Sequence, residues 1–193
     1  MWKLKLIIAL LLSSCASNTP IDPIYEDYVL PKEAKFKFGD CFYFKADDSM
    51  YASVILSNYS NEEDGIWYEI FYSDYYSTDI PKLSDINDGK VMGRKVKSMI
   101  DEEGFKRCLD GELIQDKLFT NNDNFKLIGN IKLKGRIFPG SQGMISSMKE
   151  LRSSYEKGRK IRVNPPDHYN DLMKKMNNFH PEEYFQMSDF IKQ

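Results

Sequence analysis

The pattern of apolar and polar positions is strongest between residues 36 and 72, where three runs follow one another. The first, Phe36-Lys37-Phe38-Gly39-Asp40-Cys41-Phe42-Tyr43-Phe44-Lys45, is rich in aromatic residues, and its Gly-Asp step predicts a bend or bulge between two extended stretches. Asp47-Asp48-Ser49 supplies a turn. Residues 51–56 then predict a second strand, 58–65 a polar loop and 66–72 a third strand, which together make a meander. Past Ser73 the pattern is less regular. Asp79-Ile80-Pro81-Lys82-Leu83-Ser84-Asp85-Ile86 predicts a short helix with proline near its first turn, and residues 91–97 another short strand. Phe125-Lys126-Leu127-Ile128-Gly129-Asn130-Ile131-Lys132-Leu133 alternates at several positions, as an antiparallel strand with one wet face does, and Asn121-Asn122-Asp123-Asn124 before it reads as a loop. After Pro139-Gly140 the pattern weakens, and Asn164-Pro165-Pro166 separates it from residues 169–192, which predict one or two helices. The expected fold is mainly β, of the α+β kind: a small, strongly bent antiparallel sheet or barrel with peripheral and C-terminal helices. A β core over about 36–133 and a helical extension over about 141–193 form one globular domain, residues 35–193.

The start of the chain follows a different logic. Lys3 and Lys5 precede the apolar run Leu6-Ile7-Ile8-Ala9-Leu10-Leu11-Leu12, which leads through Ser13-Ser14 into Cys15. That is the layout of a secretory signal, and the apolar run is far shorter than the roughly 20 residues a membrane span needs. Leu12-Ser13-Ser14-Cys15 resembles the lipobox read by bacterial lipoprotein signal peptidase. The resemblance implies that residues 1–14 are removed and Cys15 is acylated. Each buried CH₂ then contributes about 0.8 kcal/mol, so several acyl chains anchor durably. Residues 15–34, with Pro20, Pro23 and Pro31 and no periodicity, read as a tether. Ala16 follows Cys15 where aspartate would resemble an inner-membrane retention signal, so the expected location is the periplasmic face of the outer membrane.

Charge narrows the partners. The chain has 27 basic and 29 acidic residues, and loss of Lys3 and Lys5 leaves 25 against 29, a net charge of −4. A nucleic-acid ligand is not expected, since a phosphate-binding face carries basic excess. The local basic runs Arg94-Lys95-Val96-Lys97 and Lys157-Gly158-Arg159-Lys160 read as solvated faces or helix ends. With Cys15 used for lipid, Cys41 and Cys108 remain, an even pair in an exported chain. A disulfide between them would close a loop of 67 residues, worth about 4 kcal/mol in the chain-entropy model; reduced, buried thiols are the alternative.

Catalytic signatures are not found: G-x-S-x-G, H-E-x-x-H, the phosphate-binding G-x-x-x-x-G-K and the dinucleotide glycine fingerprint do not occur. His168 and His180 each have a carboxylate nearby in sequence, but both fall at expected helix starts, where Asp167 reads as a cap. Asp47-Asp48 and Glu62-Glu63-Asp64 contain the oxygens calcium prefers without the spacing of an EF-hand, so solvated turns are expected, and neither metal nor cofactor. Asp74-Tyr75-Tyr76-Ser77-Thr78-Asp79 joins two aromatics to two carboxylates. On a loop that composition suits a protein interface, with aromatics as anchors and charges steering the encounter; at a sheet edge the tyrosines would be half-buried instead.

The meander itself, with Phe38-Gly39-Asp40-Cys41-Phe42-Tyr43-Phe44, Tyr51-Ala52-Ser53-Val54-Ile55-Leu56 and Tyr68-Glu69-Ile70-Phe71 followed by the 80–86 helix, resembles the immunity protein 26 family of bacterial polymorphic toxin systems. Leu127-Ile128-Gly129 is similar to an Ile-Gly step in that family, so the likeness spans roughly residues 36–133. The lipid anchor and the C-terminal extension depart from it. The resemblance implies a non-catalytic inhibitor that binds a cognate protein toxin and occludes it, with Glu62, Glu63, Asp64, Asp74, Tyr75, Tyr76 and Asp79 as contacts. Two other readings remain: a structural or accessory envelope lipoprotein, such as a secretion-apparatus component, and an envelope hydrolase or glycan-binding enzyme using carboxylates such as Asp40.

Overall fold

Both flanks of the three-strand meander are apolar, and the structure explains this by burying the sheet on two sides. The computed structural model describes residues 34–62, 65–97, 105–120, 123, 125–134, 139–164 and 179–192. Residues 1–33, with Cys15 and the tether, lie outside the described residues.

The strands are β1 (Asp40–Lys45), β2 (Tyr51–Glu62), β3 (Gly65–Ser77), β4 (Lys90–Lys97), β5 (Phe105–Gln115), β6 (Lys126–Asn130), β7 (Pro139–Ile145) and β8 (Phe179–Gln186). Helices α1 (Leu83–Asn87), α2 (Asp116–Thr120) and α3 (Met148–Val163) complete the described elements, with one 3₁₀ turn at Met187–Asp189. The eight strands form one sheet in the order β6-β1-β2-β3-β4-β5-β7, with β8 added to β4. The order forks in the middle. The second half of β5, through Gly111, lies against Phe71 and earlier residues of β3, while its first half pairs with β4 from Leu109 back to Phe105. Only Ser73↔Val91 joins β3 to β4 directly.

Period-two alternation sorts the side chains onto the two faces. Phe42, Phe44, Val54, Leu56, Tyr68, Ile70 and Tyr72 face one way, into a core completed by Leu118 and Phe119 of α2 and by Met148, Leu151 and Tyr155 of α3. Cys41, Ile55 and Phe71, their neighbours in sequence, face the other way and meet Ile86 of α1, Val91, Leu109, Phe185 and Met187. A strand covered on both faces has no polar side to show, which is why residues 51–56 read as an almost continuous apolar run.

The fold is mainly β with few helices, as the sequence predicts. Of the two expected forms it is the sheet and not the barrel, open and ending at β6 and β7, and three details differ. One pairing is parallel, β5 with β7. The expected loop at 58–65 is mostly strand, because β2 and β3 stay paired out to Glu62↔Gly65. The C-terminal helical extension is also only half right. Residues 148–163 form a helix, but β8 and the 3₁₀ turn occupy 179–189, where helix was expected.

The Gly39-Asp40 step does make a bend, but a strand adjoins it on one side only, since β1 starts at Asp40 and residues 36–39 are not strand. Gly39 has φ +81°, and a Cβ there would sit 1.9 Å from the carbonyl oxygen of Ile131. That approach lets the Ile131 amide donate to the Gly39 carbonyl at 2.9 Å, tying the β1 entry to the residue after β6. Gly39→Ala is expected to cost about 2 kcal/mol through the positive φ and the backbone clash, measured as a lower denaturant midpoint with an unchanged m-value.

Cys41 and Cys108 are buried thiols that are not joined to each other. This corrects the disulfide expectation, and the register gives the reason. Cys41 lies opposite Ile55, Ile55 opposite Phe71 and Phe71 opposite Gly111, so three strand spacings, roughly 14 Å, separate Cys41 from β5 before the offset to Cys108 is added. A disulfide needs Cα atoms within about 7 Å. The Cys41 thiol is pushed up to about 12, first by burial and then by Asp40, which keeps it protonated and unreactive.

Candidate functional site

Two polar groupings stand out from the apolar core. The first lies where β3 ends. Ser53 and Ser73 hydroxyls pair 2.5 Å apart across β2 and β3, and β3 then carries Asp74, Tyr75 and Tyr76 to the edge of the sheet. Each is held. The Asp74 carboxylate accepts from the Lys90 amide at 3.0 Å and so fixes the start of β4. The Tyr75 hydroxyl donates to the Asp79 carbonyl at 2.8 Å, closing the loop that follows. The Tyr76 hydroxyl donates to Asp47 in the β1–β2 turn at 2.6 Å. That bond, with amide donors from Ser49 and Met50, holds the Asp47 carboxyl down at about 2, so it is charged at any physiological pH; the same bond raises the Tyr76 phenol.

Helix α3 braces this rim from behind. The Tyr155 hydroxyl donates to the Tyr75 carbonyl at 2.7 Å, its ring stacks on Tyr76, and the Arg159 guanidinium lies 3.9 Å from the Tyr76 ring centre. Around the braced tyrosines, Asp47, Asp48, Asp79, Asp85 and Asp88 are exposed. Ile80, next to Asp79 in the chain, is a large apolar side chain at 53% exposure, with Lys82 and Lys90 exposed on the segment that follows.

The structure thus unites Asp74, Tyr75, Tyr76 and Asp79 and adds Asp47, but it does not bring in Glu62. Glu62 ends β2 at the far tip of the β2–β3 hairpin, and its side chain, like Glu63 and Asp64 altogether, lies outside the described residues. Tyr51↔Ser77 and Glu62↔Gly65 mark the two ends of that hairpin. The length of a 12-residue strand, roughly 35 Å, therefore separates Glu62 from the rim. Of the seven expected contacts, four group at this rim together with Asp47, and Glu62 lies apart from them.

His168 and Asp167 lie outside the described residues. His180 is in β8 and not at a helix start. Three residues of the basic runs have internal partners: Arg94 pairs with Asp110, Lys160 with Glu156, and Arg159 with Tyr76. Asp40 is spent on structure, accepting from the Lys37 amide and from Asn130 at 2.8 Å each. Among the described residues no helix is long and apolar enough to cross a membrane, and no three His, Cys, Asp or Glu side chains gather as metal ligands.

The second grouping was not anticipated. Asp110 and Glu112 alternate along β5, so both point toward α3, and both are buried. Asp110 is clamped: Arg94 donates to one oxygen from Nε at 3.2 Å and Nη2 at 3.0 Å, and Arg162 to the other at 2.7 Å. Glu112 is held less tightly. Ser154 donates to its Oε1 at 2.5 Å, while Oε2 is buried without a partner, as is the nearby hydroxyl of Tyr72. Burial above all, then the charge of Asp110, pushes the Glu112 carboxyl up to about 7, and the Tyr72 phenol is raised as well. The visible signal was Leu109-Asp110-Gly111-Glu112-Leu113, two acids at i and i+2 inside an apolar strand.

No protein-family model matches the chain, and neither curated proteins nor solved structures return a match. The resemblance to the immunity protein 26 family therefore rests on the sequence pattern alone.

Proposed function

We propose that the protein is a membrane-tethered immunity protein, anchored through Cys15 on the periplasmic face of the outer membrane, that binds a cognate protein toxin and occludes it without catalysis. The observation that supports this reading most is the rim at the end of β3. Tyr75 and Tyr76 are fixed by hydrogen bonds before any partner arrives, so little side-chain entropy is lost when a partner docks. The exposed Ile80 supplies an apolar contact, and Asp47, Asp48 and Asp79 supply charge of one sign. Rigid aromatics, an apolar centre and a charged surround are how protein interfaces combine affinity with steering. The expected partner surface is basic.

The test is capture from the native strain with tagged full chain, extracted in detergent with Cys15 retained, followed by a challenge assay with the captured protein. A secreted protein with a toxic domain that kills cells lacking this gene, and spares cells expressing it, is the expected result. Asp48→Lys with Asp79→Lys, two exposed positions, should then slow association about tenfold or more at low salt while leaving the unfolding midpoint unchanged. Recovery of abundant envelope machinery alone, or full protection by the double variant with unaltered association, would overturn the reading and favour an accessory envelope role.

A further inference from the structure

The Glu112 carboxyl sits where three strands and a helix converge. From β3 comes the Tyr72 hydroxyl, from β4 Arg94, from β5 Asp110, and from α3 Ser154 and Lys157. On the β7 side a Cβ at Gly143 would lie 3.4 Å from Glu112 Oε2, so only a hydrogen occupies that approach. The three nearby cations are poorly placed to compensate a charge here. Arg94 and Arg162 are committed to Asp110, and Lys157 is exposed. A neutral carboxyl keeps the Ser154 bond and buries no charge. An ionised one places a second negative charge beside Asp110, with one oxygen sealed from water and without a donor.

We propose that Glu112 is a proton-dependent latch between the sheet and α3, holding the helix down when neutral and loosening it when charged. The next residue along α3 after Ser154 is Tyr155, whose hydroxyl braces Tyr75, and Arg159 one turn on covers Tyr76. Loosening α3 therefore loosens the rim. The latch itself stands on the cluster alone; only its meaning for toxin binding rests on the function proposed above.

The sign follows from linkage. A carboxyl whose folded-state value is raised stabilises the closed form fully below its ordinary value near 4.5, and that stabilisation is lost as pH rises through the folded value near 7. Between pH 5.5 and 8.5, amide protection factors in α3 and at residues 73–77, corrected for intrinsic exchange, are expected to fall roughly tenfold in the full chain. Glu112→Gln, neutral and of the same shape, should abolish that fall and keep protection at pH 8.5 at its acid-side level. A flat wild-type profile, or the same fall in Glu112→Gln, would overturn the latch. Should the variant not fold, carboxylate infrared titration of the wild type against uniformly unfolded protein decides instead: a buried carboxyl with a midpoint near 7 supports the latch, and all carboxyls ionised by pH 5.5 refutes it. Neither readout involves the toxin, so a failed latch and a failed function are told apart.

Discussion

Arg162→Ala is expected to destabilise the protein by about 3–5 kcal/mol, read as a fall in unfolding free energy by denaturant titration at pH 7. The side chain is 1% exposed and the Asp110 carboxylate 6% exposed, so their 2.7 Å contact lies out of water. The same guanidinium also donates to the carbonyls of Gly158 and Gly93 at 2.8 Å each, bridging α3 to β4. Truncation leaves Asp110 charged, buried and held from the Arg94 side only, and leaves two carbonyls short of a donor. Most of the loss is that stranded charge and not the intrinsic worth of the pair. Arg162→Met combined with Asp110→Asn should therefore recover a large part of it, because Arg94, 21% exposed, can still reach water. If the double variant is as unstable as Arg162→Ala, the cost lies in the α3–β4 bridge and not in the charge.

The β1–β3 meander was legible because aromatic and β-branched runs separated by turn residues are a local signal, and Gly39-Asp40 correctly marked the bend. What failed was whatever depended on distant partners. β5 hides behind Asp110-Gly111-Glu112, a turn-like composition made tolerable by Arg94 on β4 and by Ser154 and Arg162 on α3. β8 contains Pro181 and two glutamates and resembles a helix start. In the sheet, Arg94 faces Glu182 and Val96 faces Phe179, so His180 and Pro181 share one opposing residue at a bulge, where proline's missing amide proton is tolerated. α3 was signalled by Ser147 and Glu150, whose side chains each accept from the other's amide, at 3.3 and 3.1 Å. Ser153, Ser154 and Gly158 diluted the pattern after that cap. At the rim the residue types were legible and their bonding was not: Tyr76 finds Asp47 from 29 residues away, and Tyr155 finds Tyr75 across 80. The cysteine pair shows the same limit, since parity says that two thiols can pair, and only the strand order says that they stand too far apart.

Tyr155 is where core and rim meet, and two substitutions there separate the contributions. Its ring is 1% exposed and lies edge-on to Phe44 at 5.8 Å and Tyr72 at 5.7 Å while stacking on Tyr76 at 6.3 Å. Tyr155→Ala opens a cavity in the middle of the larger core and is expected to cost about 3–5 kcal/mol, measured by denaturant unfolding. Tyr155→Phe keeps the ring and removes only the donor to the Tyr75 carbonyl, so about 1 kcal/mol is expected. The smaller change is the more informative one for function. With the core filled and the fold intact, Tyr155→Phe frees the backbone of Tyr75 without touching any exposed residue, and it should weaken partner binding through a faster off-rate. The exposed pair Asp48→Lys and Asp79→Lys should instead slow the on-rate. Opposite kinetic signatures from a buried hydroxyl and an exposed charge would follow from a rim that steers with its acids and grips with its braced tyrosines. If Tyr155→Phe leaves the off-rate unchanged, the brace serves stability alone.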